Sequence, residues 1–172
     1  MILLYKLKPK AVAAEESHLI SLIEWKPTLF SWYPKGYGFK YALYSFFKLT
    51  GIFKNKNYSA FLAYQGTQLI GSLLLVPAYY RWPFMHKDDI QITYVKIYKE
   101  FRGKGYGKQM MQNAILRLPA EAKEKGVWYV TDDTNKASQA VAESVGFELV
   151  SYGVPSRLLG LPLLKILRSQ PL

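Results

Sequence analysis

The sequence has no cysteine and only two histidines, His18 and His86, among its 172 residues. The absence of cysteine excludes disulfide bonds, thiolate catalysis and cysteine-ligated metal sites. Two isolated histidines are typical of surface or packing roles, so no metal site is predicted. Acidic residues are also scarce, with 12 Asp and Glu against 23 Lys and Arg, which gives a net charge of +11. This imbalance favours an anionic ligand, substrate or surface.

Long apolar runs are missing as well. No segment approaches the roughly 20 apolar residues that cross a bilayer. The apolar start, residues 1–7, is too short for a secretory leader and meets lysines early, so a cytoplasmic protein is expected. Half of the residues are hydrophobic, which excludes a disordered chain and suits one domain with a real core. Nucleic acid is not an expected partner, because the basic residues are spread along the chain without a nucleic-acid-binding motif.

Apolar and alternating runs predict the order of the secondary-structure elements. Six runs are typical of strands: residues 2–8, 58–64, 68–78, 90–98, 127–131 and 147–154. Helices are predicted over residues 13–25, 39–49, 108–118 (continuing towards 125 after a break at Pro119) and 136–144. A turn at Gly66 joins the second and third strands into a hairpin, and Gly71 suggests a bulge. The order predicts an α+β protein with a mixed sheet of about six or seven strands flanked by helices.

The most informative segment is the glycine-rich stretch from Arg102 to Lys108, Arg-Gly-Lys-Gly-Tyr-Gly-Lys, which joins the strand at 90–98 to the helix at 108–118. Glycines let the backbone approach a ligand closely, and the start of a helix presents free N–H groups to an anion. Arg102, Lys104 and Lys108 add positive charge. The segment lacks the Gly-Lys-Ser/Thr ending of a P-loop and the acidic residue expected of a dinucleotide-binding fold. Strand, glycine turn and helix together predict a pyrophosphate site.

Two segments resemble motifs of the GNAT superfamily of acyl-CoA-dependent N-acetyltransferases. Residues 95–107, Val-Lys-Ile-Tyr-Lys-Glu-Phe-Arg-Gly-Lys-Gly-Tyr-Gly, are similar to motif A, an apolar strand followed by Q/R-x-x-G-x-G/A. Asn135, Ser138 and the Gly146-Phe147 pair after a short helix are similar to motif B. The resemblance covers about residues 88–150 and implies a mostly antiparallel, GNAT-type mixed sheet in a domain of residues 1–155. It also implies acetyl-CoA as co-substrate, no metal, and an amine acceptor.

The resemblance assigns co-substrate contacts by motif position. The backbone of the strand would pair with the pantetheine and hold the oxyanion, the glycine loop would hold the pyrophosphate, and motif B would touch the pantetheine side. The implied residues are Val95, Lys96, Ile97, Arg102, Gly103, Lys104, Gly105, Tyr106, Gly107, Lys108, Asn135 and Ser138.

The catalytic positions depart from the family pattern. The tyrosine that serves as general acid in some members is replaced by Ala142, and a glutamate base found on the motif A strand is replaced by Gln91. Ala142→Tyr should be tolerated unless another side chain fills that space. The acid and base are unassigned, and the candidates are the carboxylates nearest by strand position together with one strand tyrosine: Asp88, Asp89, Asp132, Asp133 and Tyr94. Water could also serve both roles.

Two segments leave alternatives open. Residues 25–58 concentrate aromatic side chains, which suit a sugar or nucleotide acceptor, a membrane interface or plain core. The basic, apolar tail, residues 156–172, could pack on the domain, form a homodimer contact or touch a membrane. The predicted function is acetyl transfer from acetyl-CoA to a small-molecule or sugar-type amine by direct attack. The alternatives are a non-catalytic CoA-binding or regulatory module and a membrane-peripheral acyltransferase.

Overall fold

The computed structural model describes residues 1–8, 20–28, 30–31, 34, 39–53, 57–77, 79, 82, 84–157 and 165–171. These residues form eight strands: β1 Ile2–Leu7, β2 Ser21–Trp25, β3 Ser59–Gln65, β4 Gln68–Val76, β5 Ile90–Ile97, β6 Val127–Asp132, β7 Phe147–Arg157 and β8 Lys165–Pro171. They also form four α-helices: α1 Phe39–Leu49, α2 Tyr106–Leu116, α3 Ala120–Lys125 and α4 Lys136–Val145. A 3-10 turn, Lys99–Phe101, connects β5 to the glycine loop. No described helix is long and apolar enough to cross a membrane.

All eight strands belong to one sheet, in the order β2-β3-β4-β5-β6-β1-β7-β8. Every neighbouring pair is antiparallel except β5 and β6, which run parallel. This confirms the α+β class and the mixed, mostly antiparallel sheet. The six predicted strands and α1 lie where the sequence places them, and the hairpin of β3 and β4 turns at Gly66 with φ 58°. The bulge expected near Gly71 is present, because the β3–β4 register shifts between Ala63 and Tyr64, opposite residues 69–71.

The predicted helix over residues 13–25 is wrong for its second half. Residues 21–25 form β2, which pairs with β3 from Ser21 opposite Tyr64 to Trp25 opposite Ala60, and residues 11–19 lie outside the described part of the chain. Ile20 and Leu22 are buried while Ser21 and Ile23 are exposed, so the burial alternates with the period of a strand. The apolar residues of this segment are compatible with the period of a helix and with that of a strand, and pairing with β3 selects the strand.

The C-terminal segment adds a strand that the sequence pattern did not reveal. β8 pairs with β7 over seven positions, from Ser151 opposite Pro171 to Arg157 opposite Lys165. Its backbone therefore packs on the sheet, which was one of the three alternatives for the tail. The predicted division at residue 155 falls inside β7 and stays a prediction.

Two hydrophobic clusters lie on opposite faces of the sheet. The helical face is covered by α2 and α4 and buries residues such as Leu73, Ile92, Met110, Tyr129, Ala142 and Phe147. The aromatic face buries Phe53, Tyr58, Trp82 and Trp128, with Tyr44 and Phe47 of α1 packed against them. Adjacent residues such as Trp128 and Tyr129 point to different faces because side chains alternate along a strand.

Candidate functional site

The parallel strands β5 and β6 separate after a short paired stretch. Ile90, Gln91 and Ile92 pair with residues 127–129, and the pairing with β6 stops there, although β5 continues to Ile97. β6 itself continues to Asp132 by pairing with β1. The two strands therefore diverge into a gap, and the edge of β5 that faces the gap presents main-chain groups from residue 93 onwards.

A bulge at Tyr94 marks the point of separation. Thr93 stands opposite Leu74 of β4 and Lys96 stands opposite Ser72, so Tyr94 and Val95 share the single position opposite Leu73. Tyr94 has φ 50°, a left-handed conformation that is uncommon for a residue with a side chain. Bulges bend a strand and end its pairing, which accounts for the divergence of β5 from β6 here.

The glycine loop leads directly into α2. Gly103 and Gly105 have φ of 76° and 77°, and Gly105 is the N-cap residue of α2 without a side-chain cap. A Cβ built on either glycine would meet no atom within 4 Å, so both face open space. The first N–H groups of a helix have no partner within the helix and carry its positive dipole end. The loop therefore combines uncovered backbone donors with the charges of Arg102 and Lys108.

One cavity of about 690 Å³ joins the gap, the loop and the first turns of α4. Its wall includes eleven of the twelve residues that the motif resemblance assigns to co-substrate binding: Val95, Lys96, Ile97, Arg102, Gly103, Gly105, Tyr106, Gly107, Lys108, Asn135 and Ser138. Lys104 is outside it, with its Nζ 5.6 Å from the centre of the Phe101 ring. The remaining wall residues are Phe101, Tyr129, Ala137, Ala140, Val141 and Ser144.

Local contacts explain how α4 presents its residues to the cavity. Asn135 caps the helix, its Oδ1 accepting a hydrogen bond from the Ser138 N–H at 3.1 Å. The lining residues 137, 141 and 144 recur at helical spacing and form one face of α4. Gly107 of α2 faces this side of α4, where a Cβ would make an ordinary van der Waals contact with Val141 Cγ2 at 3.6 Å.

The proposed acid–base residues lie elsewhere. Asp89 is buried, and its Oδ2 accepts hydrogen bonds from Trp128 Nε1 at 2.8 Å and from the His86 N–H at 2.9 Å. Asp88 contacts Lys125 at 3.2 Å. Within the described residues, no carboxylate or imidazole lines the cavity.

The remaining candidates are also outside the cavity wall. Asp133 Oδ1 lies 3.2 Å from the N-terminal amine of Met1, and Asp132 is exposed at the end of β6. Tyr94 is 39% exposed, with its ring centre 6.2 Å from that of Tyr44. No group of three or more His, Asp or Glu residues in the described part of the chain is arranged to hold a metal ion.

Gln91 and Ala142 both have packing roles. Gln91 is buried on β5, and its Oε1 accepts a hydrogen bond from Trp82 Nε1 at 2.7 Å. Ala142 is fully buried and belongs to the core of the helical face. A tyrosine at 142 was expected to be tolerated unless another side chain fills that space. Neighbouring side chains enclose Ala142, so this condition applies and a tyrosine would overpack the core.

Six wall residues were not assigned to the site from the sequence: Phe101, Tyr129, Ala137, Ala140, Val141 and Ser144. Tyr129 is the one among them with an ionisable side chain. It lies on β6, is 4% exposed and still lines the cavity beside Ser138. Burial raises the pKa of Tyr129, and a hydrogen bond with the Ser138 side chain partly offsets this by lowering it. The sequence offered only an aromatic residue on an apolar strand, which is typical of core.

Comparison with known proteins agrees with this geometry. Residues 22–147 match the model of the acetyltransferase (GNAT) family, so the chain belongs to this family. The family match supports acetyl transfer from acetyl-CoA as the general activity. No curated protein sequence matches the chain.

Solved structures resemble the chain in fold at low sequence identity. An IAA acetyltransferase from Bacillus cereus matches at 14% identity and a TM-score of 0.53, over 82% of this chain and 84% of that protein. A GNAT-family acetyltransferase from Colwellia psychrerythraea matches at 13% identity and a TM-score of 0.55, over 86% and 52%. A putative GNAT-family acetyltransferase from Novosphingobium aromaticivorans matches at 12% identity and a TM-score of 0.49, over 87% and 60%. The chain thus spans only about half to three-fifths of two of these proteins.

Proposed function

We propose that the protein transfers an acetyl group from acetyl-CoA to the amine of a small-molecule or sugar-type acceptor by direct attack. The observation that carries the proposal is the cavity in which the diverging β5 edge, the glycine loop and α4 meet. Its shape suits a long, polyanionic co-substrate, and its cations suit phosphates.

Each part of the cavity has a role in this proposal. The backbone N–H groups of the glycine loop and of the first turn of α2 would bind the pyrophosphate, assisted by Arg102 and Lys108. The main chain of Val95, Lys96 and Ile97 would pair with the pantetheine, and an N–H of this stretch would stabilise the oxyanion. Asn135 and Ser138 would contact the pantetheine from α4.

The acceptor would approach from the aromatic face. Tyr94 is exposed at the bulge, next to the ring of Tyr44 on α1, so aromatic surface borders the place where the strands separate. Aromatic rings pack well against sugars and other ring systems. The net charge of +11 favours an acceptor that itself carries negative charge. A cytoplasmic location and a homodimer stay predictions.

The co-substrate assignment is tested at Gly105. Gly105→Asp places a carboxylate beside the proposed pyrophosphate, and Gly105→Asn is the matched control with the same shape and the same strain at φ 77°. We expect CoA affinity measured by calorimetry to fall at least tenfold more for the Asp variant than for the Asn variant, because only Asp adds charge repulsion. Equal affinities of the two variants would contradict a pyrophosphate at this loop.

The transferase proposal is tested separately by release of free thiol from acetyl-CoA in the presence of a panel of amines. Turnover with an amine supports the proposal. CoA binding without turnover would instead favour a non-catalytic CoA-binding module, which the departures at Gln91 and Ala142 make the second candidate. Sedimentation with anionic liposomes would identify a membrane-peripheral enzyme.

A further inference from the structure

We propose that the Tyr129 hydroxyl is the catalytic acid that protonates the departing sulfur of CoA. This assignment rests on the proposed acetyl transfer. The general acid would then lie on strand β6 of the sheet, whereas the tyrosine of other family members corresponds to Ala142 on helix α4.

The first argument is the place of Tyr129 in the gap. It is the last β6 residue that pairs with β5, opposite Ile92, so it stands where the two strands separate. Its side chain lines the cavity between the β5 edge and the first turns of α4. The thioester end of a pantetheine lying along Val95–Ile97, with its pyrophosphate at the glycine loop, would lie at this end of the cavity.

The second argument is the absence of a competing acid among the described wall residues. Besides Tyr129, the ionisable side chains among the described wall residues are Lys96, Arg102, Tyr106 and Lys108. Lys96 Nζ lies 4.8 Å from the centre of the Tyr98 ring, and Arg102 Nε donates a hydrogen bond to Ile97 O at 3.0 Å. Tyr106 Oη accepts a hydrogen bond from Gln65 Nε2 at 3.0 Å, and Lys108 follows the glycine loop. All four belong to the loop end or to the outer part of β5.

The third argument is the packing around Ala142. Ala142 and Tyr129 belong to the same core cluster, on facing elements α4 and β6. Ala142 itself carries no hydroxyl, and Tyr129 brings a phenol into the same cluster from β6. Ser138 of α4 also lines the cavity, and a hydrogen-bond interaction with its side chain lowers the pKa of the Tyr129 phenol, which offsets part of the rise caused by burial. Burial raises the pKa of the Tyr129 phenol, so the group is protonated at neutral pH and can donate a hydrogen bond to sulfur.

The proton balance is simple. The neutral amine forms a bond to the thioester carbonyl carbon, the carbon–sulfur bond breaks, and sulfur takes the bonding electron pair. The Tyr129 hydroxyl gives its proton to sulfur, and the phenolate recovers a proton that originates from the amine nitrogen. The products are the amide and the free thiol of CoA, and Tyr129 ends neutral.

The test compares Tyr129→Phe with Tyr5→Phe. Tyr5 lies directly opposite Tyr129 on β1 and is equally buried, but its Oη donates to Glu143 Oε1 at 3.1 Å and it does not line the cavity. With the best amine of the panel, we expect Tyr129→Phe to lower kcat about 10²-fold, the usual scale for an acid catalyst, with CoA affinity within about threefold. Tyr5→Phe should keep kcat within a few-fold. A Tyr129→Phe enzyme with kcat close to that of the parent would overturn the assignment.

A second readout does not depend on turnover. A hydroxyl that donates to the bound sulfur stabilises the thiolate, so CoA binding near the thiol pKa, about 8.5, should release protons. Calorimetry in buffers of different ionisation enthalpy should show less release for Tyr129→Phe than for the parent, and no difference with desulfo-CoA. If proton release is the same for Tyr129→Phe and the parent, the assignment is wrong even where kcat falls, because the loss of kcat would then have a structural cause. If no amine is acetylated, the transferase proposal fails while this measurement still decides the role of Tyr129.

The pH profile gives a third check. The neighbouring ionisable groups are Tyr5, opposite Tyr129 on β1, and Glu143, which is hydrogen-bonded to Tyr5. The loop end of the cavity adds Lys96, Arg102, Tyr106 and Lys108. Burial, followed by Glu143, raises the pKa of Tyr5 to about 12, so Tyr5 stays neutral through the measurable range. An acid works only while protonated, so kcat of the parent should fall as pH rises through the elevated pKa of Tyr129. An alkaline limb that persists in Tyr129→Phe would belong to another group.

Discussion

The two faces of the sheet use polar groups in opposite ways. On the aromatic face, Asp89 and Gln91 are buried and accept hydrogen bonds from Trp128, the His86 main chain and Trp82. On the helical face, the diverging strands and the glycine loop place main-chain donors and cations around a cavity. The carboxylates that the sequence suggested as catalysts are structural or exposed and lie outside the cavity wall, whereas the wall contains the backbone of β5 and of the glycine loop, together with the Tyr129 side chain.

The largest effect on stability is expected from a substitution that disrupts the aromatic face and leaves the cavity unchanged. Asp89→Asn replaces a carboxylate oxygen that accepts from two donors, so we expect a loss of about 2–4 kcal/mol in unfolding free energy, measured with urea. Because Asp89 is not part of the cavity wall, kcat of the folded variant should stay within a few-fold of the parent. Asp132→Asn, at an exposed position, is the control and should change neither quantity appreciably. A loss of about 10²-fold in kcat at either position would identify a general base there.

An intermediate effect is expected from a change on β4 that reaches the cavity through β5. A Cβ on Gly71 would lie 2.5 Å from Lys96 O and 2.6 Å from Ile97 Cδ1, so Gly71→Ala must displace the end of β5. We expect a loss of about 1–3 kcal/mol in stability together with weaker CoA binding. Thr67→Ala, in the exposed turn of the same hairpin, should alter neither. Normal CoA affinity in a destabilised Gly71→Ala protein would show that the β5 edge does not bind the co-substrate.

The smallest effect is a difference in CoA affinity between substitutions of two lysines of the glycine loop. Lys108 lines the cavity, whereas Lys104 lies outside it near the Phe101 ring. An exposed charge contact contributes up to about 1 kcal/mol, so Lys108→Ala should weaken CoA binding up to about fivefold, less at high salt. Lys104→Ala should weaken it less. The reverse order in a calorimetric titration would mean that the phosphates lie on the outer side of the loop.

Features encoded by neighbouring residues could be predicted from the sequence. The hairpin turn at Gly66, helix α1 and the strand–glycine loop–helix segment all follow from local spacing, because each depends on contacts within a few residues. The cavity wall contains eleven of the twelve residues that the motif resemblance assigns to co-substrate binding, and six more that it does not assign. Motif A and motif B each form a continuous piece of it.

Tertiary structure alone decided the features that depend on distant residues. Pairing with β3 made residues 21–25 a strand rather than a helix, and pairing with β7 made a strand of residues 165–171. The hydrogen bonds of Asp89 come from residues 86 and 128, so its structural role is not visible in its sequence surroundings. In the sequence, Tyr129 belongs to an apolar strand and cannot be distinguished from other core aromatic residues. Its side chain reaches the cavity because β5 diverges from β6. This divergence follows from the bulge at Tyr94 and from the pairing of β6 with β1.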